Sequence, residues 1–503
     1  MTSSRTIAVV DVGSNSVRLL VARELSKAAF EVIDEERYDA RLGEGQAGGD
    51  LTPEAIERGL TALRIVTQVA RSHGPSSITV VGTEALRRAP NAAMFIARAR
   101  DETGFSIRVL SGREEAYGGF LGVVNSTGLR EGHLLDIGGG SLELMRVTER
   151  GLADVQSAPL GAIYARDRYL EKDPPAQREV RALRKAVRQQ ISVAEKSPIL
   201  FGTGGAMRNL ARLVRIRRRY PLRRIHGFVI ERREVARLTN TLIRATPEQR
   251  RQMAGLSSNR GDILPAAAVV IDEVMDLTGA ATLTVSGQGL REGLVWQELR
   301  GENPVIADVR AASIAGLARA NGVDEFAAEP VVNAAAALFE ATESVHGYGP
   351  AELELLLSAA RLAGIGMHVD YYNRDRHAEY LVHSGDLRGF DHREILLLAA
   401  LVRWSNSGTP EFSLYRTIVQ ADDARRALML ASLLGIARAI RRRVPSPVLG
   451  VETKLRGEAL QLTLRAHSPL DAEIYEIERQ QKRFESAFKT TLIASVRIPE
   501  GRS

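Results

Sequence analysis

Two stretches of the chain show the same order of apolar and polar positions. TIAVVDVGSNSVRLLVARE at 6–24 consists of an apolar run, a polar segment at 13–16 and a run in which apolar and polar residues alternate. HLLDIGGGSLELMRV at 133–147 repeats this order. Apolar runs separated by a few Gly, Ser and Asn residues are typical of two strands joined by a tight turn. Each stretch is therefore predicted to form a β-hairpin.

The two predicted hairpins are copies of each other. When they are aligned on Asp11 and Asp136, 125 positions apart, an Asp, a Gly, a Ser and a Leu recur at equal offsets. This internal repeat predicts two similar lobes, each with one turn facing a cleft between them. A strand follows each turn, whereas a helix follows the glycine loop of a Walker or Rossmann site, so both of those sites are disfavoured. The small turn residues still allow backbone N–H groups to approach an anion.

The second half of the chain has a different pattern. From about residue 303, Ala-rich and Leu-rich segments with apolar spacing of three to four residues predict helices at 308–320, 326–344, 351–366, 391–405 and 420–442. After 445, two strand-like runs, an amphipathic helix and a third strand-like run predict a small α/β unit. We therefore predict an α/β protein with two lobes at 1–124 and 125–302, a helical domain at 303–444 and a tail unit at 445–503.

Composition narrows the class of protein. Hydrophobic residues make up 44% of the 503 positions and charged residues 26%, as in ordinary globular proteins, which excludes disordered and fibrous classes. The longest apolar run has eight residues, 395–402, far below the roughly 20 that a membrane helix needs. The first residues contain no secretory hydrophobic region, because Asp11 follows only four consecutive apolar residues. We therefore expect a cytoplasmic protein.

The available side chains limit the chemistry. The absence of cysteine excludes disulfides, thiol catalysis and Cys-ligated metals. The nine histidines form no HExxH motif, and no GxSxG elbow occurs with downstream His and Asp, so a zinc hydrolase and a serine nucleophile are both disfavoured. Carboxylates, hydroxyls, backbone amides and arginines remain.

The positive charge is concentrated in one stretch. The net charge is +7, and the segment 208–224 alone carries eight arginines and no acid. Such a segment is either a binding surface for a polyanion or a solvated helix face followed by a basic loop. A second cluster, formed by Arg438 and the arginines at 441–443, has the same two interpretations.

The pair DVGSNSVRLLV and LLDIGGGSLELM resembles the two phosphate motifs of the exopolyphosphatase and guanosine pentaphosphate phosphatase (Ppx/GppA) family. Further motifs of this family follow in order: VGTEALRRAPN, VLSGREEAYGGFLGV, SAPLGAIY, FGTGGAMRNLA, GLSSNRGDILPAAAVV and VSGQGLREGLV. The resemblance implies two lobes of the ribonuclease-H-like type, as in actin, heat-shock chaperones and sugar kinases, and a helical C-terminal region related to HD-type phosphohydrolases.

The resemblance also implies roles for individual residues. Glu115, rather than its neighbour Glu114, matches the carboxylate that orients or deprotonates the attacking water. Arg87 matches the arginine at the phosphoryl site, which leaves Arg88 as a surface residue. With a polyphosphate substrate, the residues of the two turns would cradle the phosphates, and the focused charge of the arginine stretch would form a basic track for the chain, which gives the substrate-binding candidates Ser14, Asn15, Ser16, Gly138, Gly139, Gly140, Ser141, Arg208, Arg217, Arg218 and Arg219.

Three acids are candidates for a magnesium site. Asp11 and Asp136 begin the two turns, where the strand ends can present both carboxylates to one hydrated Mg²⁺, although either could instead cap its own turn. Glu143 alternates onto the same strand face as Ser141 and matches a family acid, so it could bind the metal or support its ligands.

The helical domain is not expected to carry a second catalytic site. The metal-binding His-Asp doublet of HD-type domains would fall at Ala363 and Gly364, which cannot bind a metal. His377, His383 and His392 are therefore interpreted as packing or surface residues.

Four functional hypotheses follow. The leading one is an exopolyphosphatase (acid-anhydride hydrolase) that removes terminal phosphate from inorganic polyphosphate with Mg²⁺ by direct water attack. A guanosine pentaphosphate 5′-phosphohydrolase, an ATP-dependent kinase or chaperone of the same superfamily and a polyphosphate-binding regulator without catalysis are the alternatives. We further expect a homodimer that requires neither nucleic acid nor a membrane.

Overall fold

The structure is a computed structural model that describes residues 5–45, 49–443 and 445–498. It divides into two compact units, Met1–Val309 and Arg310–Ser503. An α/β fold is confirmed, because sheets and helices alternate through the first unit. The division of the chain into four domains stays a prediction.

The first sheet of unit 1 has five strands in the order β3-β2-β1-β4-β5. Strands β1, β2 and β3 are antiparallel, and β4 and β5 continue parallel to β1. The strands are β1 (Thr6–Val12), β2 (Val17–Ser26), β3 (Ala29–Tyr38), β4 (Ser77–Gly82) and β5 (Arg108–Val109). The helices of this part are α1 (Pro53–Ser72), α2 (Glu84–Arg88), α3 (Ala92–Thr103) and α4 (Gly112–Val124).

The second sheet of unit 1 has the order β10-β11-β9-β6-β7-β8. Its strands are β6 (Gly132–Ile137), β7 (Leu142–Thr148), β8 (Gly151–Ala158), β9 (Ile199–Thr203), β10 (Phe228–Glu231) and β11 (Thr282–Val285). Its helices are α5 (Ala162–Tyr169), α6 (Gln177–Gln190), α7 (Gly205–Arg217), α8 (Arg232–Arg244), α9 (Pro247–Arg251), α10 (Leu264–Thr278) and α11 (Leu290–Arg300). Read from β8 to β11, this sheet has the strand order and directions of the first, with β10 added at one edge.

Both predicted hairpins are confirmed, and they have the same register. Asp11 pairs with Arg18 across β1 and β2, and Asp136 pairs with Glu143 across β6 and β7. The N–H of the turn glycine donates to the carbonyl of the turn serine at 3.1 Å in the first hairpin and 3.0 Å in the second. Directly opposed residues of an antiparallel pair lie on the same face of the sheet. Each hairpin therefore places two charged side chains together at the end of its sheet.

Each sheet has its own apolar core. The amphipathic helix α1 buries Ile56, Leu60, Leu63 and Val66 in the core of the first sheet. In the second sheet α10 is buried over almost its whole length, because it packs against α5, α6, α7 and α8. Full burial of one such aliphatic side chain stabilises a fold by about 1.5–3 kcal/mol. These cores hold the two turns in fixed positions.

Unit 2 is mainly helical. Its helices are α12 (Val309–Ala320), α13 (Glu325–Ala341), α14 (Glu343–His346), α15 (Pro350–Leu362), α16 (Arg374–Ser384), α17 (His392–Trp404), α18 (Asp423–Ile440) and α19 (Asp471–Phe488). Strands β12 (Val448–Arg456), β13 (Ala459–Ala466) and β14 (Thr491–Arg497) form a separate sheet in that order. Across the described ranges, no helix combines the length and apolarity that spanning a membrane requires. The relation of this unit to HD-type domains stays a prediction, as does a separate tail unit.

Candidate active site

A polar cleft of about 110 Å³ lies in unit 1 between the ends of its two sheets. Both predicted turns line it, together with residues from α4, α7 and α11. The turns nearly touch, because a Cβ added to Gly139 would lie 3.0 Å from the Cβ of Ser14 and 3.4 Å from the backbone N of Asn15. The internal repeat therefore brings two equivalent turns to opposite sides of one cleft.

The backbone of the second turn is oriented by helix α5. The carbonyl oxygens of Gly138, Gly139 and Gly140 accept hydrogen bonds from backbone N–H groups at 161–164. In a trans peptide the C=O and the following N–H point in opposite directions. The N–H groups of the next residues, through Ser141, therefore point away from α5, and this row of donors is suited to bind an anion.

The first turn has the same arrangement. The carbonyl of Ser14 accepts from the N–H of Gly43 at 2.8 Å, and the carbonyl of Asn15 accepts from the N–H of Arg41 at 3.0 Å. The N–H groups of Asn15 and Ser16 consequently point the other way. The side-chain amide nitrogen of Asn15 is buried in the lining of the cleft and has no hydrogen-bond partner within the described part of the chain. It is an additional donor for a bound oxyanion.

Helix α4 carries Glu115 into the cleft. The helix begins with a capping box, in which the N–H of Ser111 donates to the carboxylate of Glu114 at 2.8 Å and the N–H of Glu114 donates to the Ser111 hydroxyl at 3.2 Å. This box uses Glu114 at the helix end, where it also pairs with Arg108 at 2.6 Å. The next residue, Glu115, is consequently turned to the cleft.

Arg87 fixes the carboxylate of Glu115. Its Nη1 donates to Glu115 Oε2 at 2.9 Å and to the carbonyl of Leu110 at 2.7 Å, while Nη2 donates to Glu84. Burial raises the pKa of Glu115 to about 7, although Arg87 acts in the opposite direction. Near neutral pH this carboxyl group can thus both take up and release a proton, as a general base requires.

The three predicted metal ligands lie beside Glu115. Burial raises the pKa of Asp136 to about 6 and also raises the pKa of Asp11. The pKa of Glu143 lies well above its usual value because of burial and of the nearby Glu115 and Asp136. The Ser157 hydroxyl donates to Glu143 at 3.1 Å. This group of acids is held in a buried region that opposes its ionisation.

The chemistry of these acids suits one kind of magnesium site. Asp11 Oδ1 is buried without a hydrogen-bond partner in the part of the chain described by the structure, although a carboxylate oxygen ordinarily has one. Within those residues, no three His, Asp or Glu side chains are arranged to enclose a metal. Mg²⁺ commonly takes one or two protein carboxylates and keeps several waters. Asp11 and Asp136 therefore fit a hydrated Mg²⁺ but not an ion held by protein alone.

Four arginines line the cleft. Only one of them, Arg208, is predicted from the sequence as a substrate-binding residue. Arg208 donates to the carbonyl of Gly287 at 3.1 Å, and Arg18 donates to the Ser16 hydroxyl at 3.0 Å. Arg260 is 6% exposed. Burial together with neighbouring arginines lowers the pKa of Arg18 to about 9 and that of Arg260 to about 10. Arg291 is instead paired with Glu35 at 2.6 Å.

The mutual repulsion of these arginines favours a bound anion. Arg18, Arg208 and Arg260 have no carboxylate within 4.0 Å among the residues that the structure describes. Each lies in a motif quoted above, DVGSNSVRLLV, FGTGGAMRNLA or GLSSNRGDILPAAAVV. Arg18 and Arg260 could have been predicted as site residues, because each is an arginine inside a motif of small polar residues.

The rest of the predicted arginine stretch is not part of this cleft. Arg217 and Arg218 both pair with Glu234, at 3.1 Å in the case of Arg217. Arg219 has a positive φ of 50° in the turn after α7 and is exposed. Arg88, predicted at the surface, is partly exposed, pairs with Glu84 at 3.6 Å and lies over the ring of Tyr164.

Comparison with known protein families covers most of the chain. The model of the Ppx/GppA phosphatase family matches residues 20–302. The model of Ppx/GppA phosphatase, domain III, matches residues 309–476.

Two solved structures share the fold of 59% of the chain. An exopolyphosphatase from Cytophaga hutchinsonii is 24% identical, with a TM-score of 0.56 over 59% of this chain and 98% of its own. A Ppx/GppA family member from Aquifex aeolicus is 26% identical, with a TM-score of 0.53 over 59% of this chain and 99% of its own. The two family models together match well over half of the chain, and the resemblance seen in the sequence motifs is confirmed: this chain belongs to the Ppx/GppA phosphatase family.

Proposed function

We propose that this protein is an exopolyphosphatase, which hydrolyses the terminal phosphoanhydride bond of inorganic polyphosphate and releases orthophosphate. One observation carries the proposal: Glu115, with its pKa raised to about 7, lies in a cleft lined by two equivalent anion-binding turns. The exopolyphosphatase among the structural relatives supports the same activity.

The proposed reaction uses residues of the cleft in three ways. The N–H groups of the two turns and the amide of Asn15 bind the oxygens of the terminal phosphoryl group. Glu115 accepts a proton from a water molecule that attacks phosphorus in line with the bond to be broken. Arg18, Arg208 and Arg260 offset the negative charge of the phosphates, and because they already line the cleft, little reorganisation is needed during the reaction.

Magnesium is the proposed cofactor. Asp11 and Asp136 would hold it, and the buried carboxyl group of Glu143 would support this site from β7. The ion would neutralise charge on the oxygens of the transferring and leaving phosphates.

The substrate is tested by comparing orthophosphate release from long-chain polyphosphate, tripolyphosphate, guanosine pentaphosphate and ATP, each with and without Mg²⁺. We expect the highest kcat/KM with polyphosphate and loss of activity on chelation. Preference for guanosine pentaphosphate would assign the 5′-phosphohydrolase activity instead. ATP binding with phosphoryl transfer to an acceptor other than water would contradict hydrolysis altogether.

Arg87→Gln is expected to move the rising limb of the pH–rate profile to higher pH by about one unit or more. Arg87 favours the ionised form of Glu115, so its loss raises the pKa of the base further. A charge-assisted hydrogen bond contributes about 1.5–3 kcal/mol, and one pKa unit corresponds to about 1.36 kcal/mol. The measurement is kcat/KM for polyphosphate between pH 5 and 10.

Arg88→Gln is the matched control for this change, because Arg88 pairs with Glu84 and not with Glu115. Its profile should coincide with that of the wild type. An unmoved limb in Arg87→Gln would contradict the role of Glu115 as the titrating base.

Arg260→Ala is expected to raise KM about tenfold or more for both tripolyphosphate and long chains. Its buried guanidinium has no carboxylate partner in the described part of the chain, so a phosphate would supply one. Replacing Arg217, Arg218 and Arg219 together by Ala should raise KM about twofold and only for long chains, because Glu234, shared by Arg217 and Arg218, already offsets one of the three positive charges. An equal rise for short and long chains would remove these three from the substrate path.

A further inference from the structure

His226 is a partly buried residue of unit 1 that directly precedes Gly227 and strand β10. The sheet determines its position. Phe228 pairs with Val285 across β10 and β11, and the N–H of Gly227 donates to the carbonyl of Val285 at 2.8 Å. His226 is therefore held beside the loop 286–289, which connects β11 to α11. The proposed reaction leaves this histidine without a role.

Both ring nitrogens of His226 make hydrogen bonds. The backbone N–H of Gly287 donates to Nδ1 at 3.1 Å, so Nδ1 is the nitrogen without a hydrogen. Nε2 then carries the hydrogen and donates to the carbonyl of Ser126 at 2.8 Å. A single neutral tautomer of the ring thus joins the loop 286–289 to the end of helix α4.

Gly287 in turn holds an arginine of the cleft. Its carbonyl accepts from Arg208 Nη1 at 3.1 Å, and Arg208 lines the cleft. The N–H and the C=O of Gly287 are both occupied, the first by His226 and the second by Arg208. Glycine has the freest backbone of all residues, so hydrogen bonds are needed to fix its two peptide groups. His226 therefore acts on the orientation of Arg208.

The other N–H groups of the loop 286–289 are held by different elements. The N–H of Ser286 donates to the carbonyl of Gly202 in β9 at 2.8 Å, and that of Gln288 donates to the Ser286 hydroxyl at 3.1 Å. The N–H of Gly289 donates to Glu292 in α11 at 2.8 Å. A change at His226 should consequently affect Gly287 and leave the rest of the loop in place.

The end of α4 also has anchors besides His226. The side chain of Asn125 donates to the carbonyl of Pro304 at 2.7 Å and accepts from the N–H of Ile306 at 2.8 Å. These two bonds are buried. Loss of the bond between His226 and Ser126 should therefore leave α4, and with it Glu115, in place.

Arg208 occupies a position that is unfavourable for a cation. Burial lowers the pKa of Arg208, and the neighbouring Arg291 lowers it further. A guanidinium in such surroundings needs a contact that keeps it at the cleft until a phosphate arrives. The carbonyl of Gly287 supplies this contact.

We propose that His226 is a positioning residue for substrate binding, which holds Arg208 in the cleft through the backbone of Gly287. The guanidinium then meets the phosphates already oriented, and binding avoids the cost of ordering a long side chain. His226 itself contacts no phosphate. This role rests on the proposed function, in which Arg208 binds phosphate.

Two substitutions each keep one of the two hydrogen bonds. The amide oxygen in His226→Asn lies about where Nδ1 is and can accept from Gly287, whereas the longer side chain in His226→Gln reaches about as far as Nε2 and can donate to Ser126. We expect His226→Gln and His226→Ala to raise KM for polyphosphate about tenfold, with kcat within about threefold of the wild type. For His226→Asn both constants should stay within about twofold.

A double-variant cycle tests whether the effect passes through Arg208. Arg208→Ala alone should raise KM about tenfold or more, because it removes a charged donor to phosphate. Adding His226→Gln to Arg208→Ala should raise KM no further, since the group that His226 positions is then absent. Steady-state rates of phosphate release by the full-length variants measure all four corners of the cycle.

His73→Ala is the matched control, because His73 lies in the same unit but pairs with Asp34 at 2.8 Å. Its KM should equal that of the wild type. Failure of the exopolyphosphatase function would appear in the wild type itself, as preference for another phosphate compound. The same comparison with that compound would still decide on His226.

Three results would overturn the proposal. The first is an unchanged KM in His226→Gln. The second is an equal rise in His226→Asn and His226→Gln, which would indicate that the ring only packs. The third is a multiplied rise in the double variant, which would show that His226 acts independently of Arg208. If His226→Ala does not fold, the Asn and Gln variants decide between these outcomes.

Discussion

Glu115→Gln is expected to lower kcat for polyphosphate hydrolysis by about 10²–10⁴-fold, the usual contribution of a general base. Gln has the same shape but cannot accept a proton from water. Arg87 can still donate to the amide oxygen from its present distance of 2.9 Å, so the geometry of the cleft should persist. KM should change little, because the turns and arginines that bind phosphate are untouched. Initial rates of phosphate release over a range of chain concentrations measure both constants.

The neighbouring acid provides the control. Glu114→Gln lies on the same helix turn, yet Glu114 closes the capping box with Ser111 and is half exposed. Gln at this position also closes a capping box, so the replacement loses mainly the exposed pair with Arg108 and should lower stability by about 1 kcal/mol at most, with kcat within a few-fold of the wild type. Unchanged phosphate release by Glu115→Gln would contradict catalysis at this cleft and favour a polyphosphate-binding protein whose activity lies elsewhere.

The central part of the candidate site could be predicted because it is local. A hairpin with a four-residue polar turn brings Asp11 and Arg18, or Asp136 and Glu143, to one sheet face wherever the sheet lies. The duplication then indicated that two such turns belong to one cleft. Neither the hairpin register nor the duplication depends on long-range packing.

The arginines show where local reasoning fails. Arg260 reaches the cleft from a segment between α9 and α10, and Arg291 from the start of α11, so only tertiary packing brings them together there. Conversely, the sequence shows how much charge the stretch 208–224 carries but not where each arginine lies, because a helix distributes successive side chains over all its faces. Arg208 lines the cleft, whereas Arg217, nine positions later at the end of α7, pairs with Glu234.

Asp136→Asn is expected to abolish phosphate release and at the same time to stabilise the metal-free protein. Burial raises the pKa of Asp136 from 3.8 to about 6, which means that the folded protein favours the neutral form. A carboxyl group whose pKa is raised by folding contributes stability that is fully present below about pH 4 and is lost as the pH rises through 6. From this shift, the penalty above pH 6 amounts to about 3 kcal/mol. Asn carries no charge, so the variant should be free of this penalty.

Urea unfolding at pH 4 and pH 8 in the presence of a chelator measures this effect. The variant should exceed the wild type by about 3 kcal/mol at pH 8 and by nearly nothing at pH 4, where both side chains are neutral. Added Mg²⁺ should raise the stability of the wild type at pH 8 more than that of the variant, because a cation compensates the buried charge that Asn lacks.

A second buried aspartate gives the opposite result and so serves as the control. Asp272 has a side chain that is 5% exposed and is paired with Arg184 at 2.5 Å and with Arg232. Asp272→Asn should destabilise the protein at pH 8, because it removes the buried carboxylate that two arginines share and leaves Arg184 only Glu273 and Arg232 only Asp276. If Asp136→Asn also destabilises, the acids of the cleft are structural ion partners, and the proposed magnesium site is wrong. We expect Asp136→Asn to gain stability and lose activity, and Asp272→Asn to lose stability. This pair of results would show that the charge of Asp136 serves function and that the charge of Asp272 serves folding.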